Sequence, residues 1–334
     1  MPAFPVRFLM PVACVALLLV GCDDDGASEP PQTYRVAWLT ASAPQTLLVD
    51  ARDGTGPQPA LQAAPGVTYD YLTARPRSAE VMLRVTDANT ARRFFLLLDV
   101  DTGAADSLVV SDNFLGPPYW SPSGARIAWR LAPSGTGLAV GNAQGGFGYV
   151  VTEPDDVSYE CLDDFPPAWS PDGEQLAYSC LVRDQTQRTE ILVAQVDART
   201  TGSIGPPPPF ESAWSPVWSR DGRKLAVGCS DGTCTAFADG SGPLPILPGV
   251  PLAWAPGDRL AVRVGDAVVT AREDGSAVAT IVSEAPAATA AWSPDGRELL
   301  VANPAFVAVS TADGQTVEYL EQGSAVVGAV WVQR

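Results

Sequence analysis

The densest chemistry in this chain is one short stretch, residues 153–169, EPDDVSYECLDDFPPAW. Asp155, Asp156, Glu160, Asp163 and Asp164 crowd carboxylates into it, with Tyr159 and Phe165 among them. Phe210, Glu211 and Trp214 follow in a second run, GPPPPFESAW. Carboxylates mixed with aromatic rings can dock a basic or sugar-bearing partner. They can also form a solvated acidic rim over packed rings, or hold a calcium ion through oxygen ligands. The spacing is neither EF-hand-like nor a Gly-Asp repeat, so no metal is assigned. Histidine is absent from the chain. That removes Ser-His-Asp and Cys-His catalysis, histidine general bases and histidine metal ligands together. No catalytic residue and no cofactor is therefore expected.

Charge narrows the partners. The 334 residues carry a net charge of −17. Such a chain lacks the basic footprint that nucleic acid requires. Nor does it adhere to anionic lipid through surface charge. Its apolar content, 46%, is enough for a large core. Arg7 precedes a run of about a dozen apolar residues, Phe8 to Val20. That run is too short to span a bilayer, which takes ~20 residues, and suits a signal h-region. It stops at Leu19-Val20-Gly21-Cys22, which resembles the bacterial lipobox. The resemblance implies that residues 1–21 are a lipoprotein signal peptide and that Cys22 is acylated. Acyl chains at ~0.8 kcal/mol per buried CH₂ would be the only membrane attachment. The acidic, Pro-containing residues that follow, 22–33 with Cys22 included, read as a flexible tether.

The elements that must hold the acidic stretch are legible from repetition. AWSPDG stands at 168–173 and again at 291–296. Near-copies are YWSPSG from Tyr119, VWSRDG from Val217 and AWAPGD from Ala253, each leading into a strand such as KLAVGC. Trp120, Trp169, Trp218, Trp254, Trp292 and Trp331 recur at intervals of 49, 49, 36, 38 and 39 residues. A worn copy is aligned on Tyr71. Each unit reads as an apolar strand, a turn and an alternating strand, then two more strands. In the turn Pro fixes φ, Asp bonds the backbone ahead and Gly accepts positive φ. A period of this length with a strand–turn–strand core predicts an all-β propeller. Counting the Tyr71 unit gives seven blades; without it there are six. Residues 34–42 read as a second strand, and Gly328–Val332 as a first strand without its turn. The two ends therefore complete one blade, within a domain covering 34–334. The tryptophans read as core wedges between blades.

WSPDG followed by a Leu-Ala strand resembles the TolB-type, WD-like propeller repeat of bacterial envelope proteins. The resemblance covers about 34–334, implies the propeller fold and says little of function. A separate N-terminal α/β domain, as in TolB itself, is not read here, so TolB's lipoprotein partner is not carried over.

Propeller topology sorts the loops. The SPDG turns lie on one face. The fourth-to-first and second-to-third connections lie on the other, where 153–169 is the longest. Four cysteines remain beyond Cys14 and Cys22, and an even number in an oxidising compartment predicts Cys161–Cys180 and Cys229–Cys234 disulfides. The expected protein is a monomeric, lipid-anchored, non-catalytic envelope propeller. It would bind a protein or glycan through its loop face. The alternatives are a carboxylate-dependent propeller lyase or hydrolase, for which the inner strands offer Asp70, and a structural spacer.

Overall fold

The structure is a computed structural model. It describes residues 34–111, 116–131, 137–144, 147–151, 159–161, 165–185, 188–204, 212–242 and 244–334. Residues 33–334 form one compact unit. It is built of seven antiparallel sheets with no helix among the described residues. The predicted seven-bladed propeller is the observed fold. Blade one comprises Val67–Ala74, Glu80–Asp87, Arg92–Asp99 and Ala105–Ser111. Blades two to six follow in chain order, their first strands ending at Trp120, Trp169, Trp218, Trp254 and Trp292. Blade seven joins Val326–Gln333 to Tyr34–Thr40, Thr46–Asp50 and Gln58–Gln62, in that order. Trp331 pairs with Val36, as Trp169 pairs with Leu176 in blade three. The expected pairing of the two terminal segments therefore closes the ring.

The turn sequence explains each hairpin atom by atom. Ser170 Oγ donates to Asp172 Oδ1 (2.5 Å) and accepts the Gln175 amide (2.8 Å). Ser219 and Ser293 do the same with Asp221 and Asp295. Asp172 Oδ1 also accepts the Glu174 amide at 2.9 Å. Gly173, Gly222 and Gly296 close their turns with φ near 70° (74°, 69° and 71°), where a Cβ is strained. These bonds lower the carboxyl pKa of Asp172 and Asp221, chiefly through the serine hydroxyl.

The tryptophans sit between blades, as expected. Trp120, Trp169, Trp218 and Trp331 are buried, and packing such rings is worth several kcal/mol each at ~25 cal/mol per Å². They also do something that the spacing did not reveal. Each of four indoles donates to the preceding blade, at the carbonyl just before its tryptophan. Trp169 Nε1 reaches Tyr119 O (3.0 Å), Trp218 reaches Ala168 O (2.9 Å), Trp292 reaches Ala253 O (3.4 Å) and Trp331 reaches Ala291 O (2.9 Å). A second interlock follows the same order. The turn proline of one blade lies against the turn glycine of the next, Pro122 on Gly173, Pro171 on Gly222 and Pro256 on Gly296.

One alignment is corrected. The unit marked by Tyr71 is a true blade, but Ala74 stands in the tryptophan position. Ala74 pairs with Val81, and Arg75 N bonds Glu80 O, as Ser121 N bonds Arg126 O. Tyr71 lies three residues earlier, next to a bulge at Asp70, and its ring meets Tyr119 edge-on at 5.9 Å. Burial, then Tyr119, raises the Tyr71 pKa well above the usual phenol value.

Candidate functional site at the loop ends of blades three and four

Blade three departs from its neighbours. Its first strand is broken into Tyr159–Cys161 and Ala168–Trp169, which pair with the two halves of Gln175–Val182. Residues 165–167, between the two segments, lie outside the ladder. The stretch 153–169 is therefore not one loop: residues 159–161 are strand, because their backbone groups continue the ladder with Cys180–Val182.

That pairing changes the role of Tyr159. Its side chain is buried, and its hydroxyl donates to Glu190 Oε2 (3.1 Å). Ser203 Oγ donates to the same oxygen (2.6 Å), and Arg188 Nε to Oε1 (2.7 Å). Glu190 is 5% exposed, and this set of donors compensates the cost of burying its charge. Tyr159 thus belongs to a structural network rather than to an exposed surface. Sequence reasoning missed Glu190, although a charge inside the apolar run TEILVAQ was a visible signal. Glu160 forms a surface ion pair with Arg183.

Phe165 lies just before the second segment, and its ring is 6.5 Å from that of Trp214, tilted by 39°. Trp214 belongs to the first strand of blade four. It lies flat over Gly228 of the adjacent strand: a Cβ there would fall 2.4 Å from the indole nitrogen. The next residue, Ser215, takes a left-handed φ of 52° at a register shift. It is tied on both sides. Its amide bonds Ser179 Oγ of blade three (3.0 Å), and its hydroxyl donates to Pro251 O of blade five (3.4 Å). The rings of Phe165 and Trp214 are both partly exposed, so a fixed scaffold presents them to solvent.

Of the other residues read from sequence, Asp155, Asp156, Asp163, Asp164, Phe210 and Glu211 lie outside the described residues, as does Cys22. Cys229 and Cys234 are joined by a disulfide across their hairpin. Cys180 is also disulfide-bonded, and the backbone of Cys161 stands directly opposite it. The side chain of Cys161 lies outside the described residues. On the first strand of blade one, the Asp70 carboxylate is paired with Arg84 Nε at 2.6 Å.

No family model and no curated protein matches the chain. Solved structures do. TolB from Acinetobacter baumannii superposes with a TM-score of 0.56 at 14% identity, over 89% of this chain and 66% of that one. The chain thus spans 66% of that TolB's length. The periplasmic gluconolactonase of Pseudomonas aeruginosa gives 0.58 at 18% identity, over 90% and 99%. An oligogalacturonate lyase in complex with manganese gives 0.59 at 14% identity, over 88% and 85%. The shared property is the fold, a TolB-type β-propeller, and these neighbours include enzymes as well as TolB.

Proposed function

We propose that this TolB-type propeller is a lipid-anchored protein of the bacterial cell envelope, acylated at Cys22. It docks a protein or glycan partner through the loop ends of blades three and four and performs no chemistry on it. One observation carries the reading. Phe165 of blade three lies against Trp214 of blade four, on a scaffold fixed by Gly228, Ser179 and Pro251. Rigid, partly exposed rings are the usual anchors of binding surfaces. The acidic residues 155, 156, 160, 163 and 164 would supply the complementary charge around them. A Cys161–Cys180 disulfide would pin the end of the segment Tyr159–Cys161 to the second strand. The periplasmic gluconolactonase and TolB neighbours are consistent with an envelope location. The enzymatic alternative would rest on Asp70, which is paired with Arg84.

The test is a cross-linked pull-down from native envelope with residues 33–334, beside a variant carrying Ser at the five acidic positions. One dominant partner, lost with the variant, is the expected outcome. Equal capture by both, or none, overturns the docking face. Anchoring is read in the same cells by fatty-acid labelling, which Cys22→Ser should abolish.

A further inference from the structure

The seam between blades four and five breaks the repeat in two ways at once, on the face opposite the loops. The turn of blade four carries Arg220 where its neighbours carry proline. The turn of blade five reads Ala255-Pro256-Gly257-Asp258, one residue shorter, with Ala255 N bonded to Arg259 O. A Cβ at its Gly257 would therefore meet nothing within 4 Å, and the proline-on-glycine interlock is missing. The indole bond is missing too: among the described residues Trp254 Nε1 has no partner on blade four. Trp254 is only partly buried, whereas Trp169 and Trp218 are 8% and 7% exposed.

The result is a cleft of about 540 Å³, within the ~300–1,000 Å³ typical of small-ligand sites. Trp254 forms its apolar wall. Around it stand Arg220, Asp221, Lys224, Asp258 and Glu273. Lys224 is the only lysine in the chain, and its Nζ spans the seam to both Glu273 oxygens (3.0 and 3.1 Å). Asp258 is 60% exposed and lies 3.5 Å from Arg272.

We propose that this cleft is a saccharide-binding site. A pyranose ring offers an apolar C–H face for one indole and a rim of hydroxyls that both donate and accept. The cleft offers the complement: one aromatic wall, carboxylates that accept, and Lys224 and Arg220 that donate. Opposed charges so close favour a neutral ligand over an ionic one. Where other seams carry the interlocks, this one presents Arg220, Lys224, Asp258 and Glu273 around Trp254. The site lies on the opposite face from Phe165 and Trp214 and does not rest on their role.

The experiment uses the full chain, with cellotetraose, tetra-N-acetylchitotetraose and maltotetraose as probes, by calorimetry and saturation-transfer NMR. At least one probe should bind in the millimolar range or tighter. Trp254→Ala, and separately Asp258→Asn with Glu273→Gln, should each weaken it about tenfold or more. The double variant removes only ion pairs open to solvent, worth ~0–1 kcal/mol each, so it should stay folded, and its Tm read beside binding separates lost contacts from unfolding. Tyr319→Ala, at an exposed ring of blade six, should leave binding intact. No binding of any probe overturns the site. So does binding that survives the double variant.

Discussion

At the scale of single residues, the turn serines and aspartates couple this fold to pH. In the folded chain the hydroxyls of Ser170 and Ser219 hold the carboxyls of Asp172 and Asp221 below their ordinary pKa, which is about 3.9 in an unfolded chain. A depressed carboxyl stabilises the folded state fully above the unfolded pKa, and the contribution is lost as pH falls through the folded value. Stability should therefore be flat near neutrality and fall below about pH 4. Ser170→Ala with Ser219→Ala should make that acid limb shallower, because less of the shift remains to be lost. Urea midpoints measured between neutral and acidic pH give the slope, and an unchanged slope would sink the account.

At the scale of elements, blade-to-blade cohesion rests on the tryptophans, and unequally. Trp169 is buried and donates to blade two, so Trp169→Ala should cost ~3–5 kcal/mol. Trp254 is half-open and makes no such bond, so Trp254→Ala should cost clearly less. Chemical denaturation of both variants ranks them; equal losses would mean that the indole bond contributes nothing. Much of this layer was legible beforehand, because a turn that must satisfy Ser, Pro, Asp and Gly geometry repeats its letters. What stayed hidden has a physical reason. In blade one nothing in the sequence ties the strand to its turn, so the nearest aromatic, Tyr71, stood in for Ala74. Tyr159 read as a loop residue because its partner Glu190 lies 31 residues away and joins it only through the sheet. The cleft at the fourth seam was visible as a departure, AWAPGD for AWSPDG, yet a worn repeat and a remodelled one look alike until the gap between blades is seen.

At the scale of the whole propeller, the ring depends on the pairing of Val326–Gln333 with Tyr34–Thr40. Arg52 reinforces it: its guanidinium lies 5.8 Å over the Trp331 ring and reaches Glu298 and Glu318 of blade six. A chain stopped after Gly323 would leave Tyr34–Thr40 as a bare edge with buried-type residues Val36 and Trp38 exposed. It should lose cooperative unfolding and associate, as light scattering and thermal melts would report. The clasp also sets an order of events. Blades one to six each draw on a contiguous run of chain and can pair as that run emerges. Blade seven joins strands nearly three hundred positions apart, and so costly a closure comes late. The earliest strand to appear must therefore wait, unpaired, for the last. Synthesis of this propeller thus carries its own check, since a nascent product cut short before the last strand keeps a free strand edge for proteases and chaperones to find.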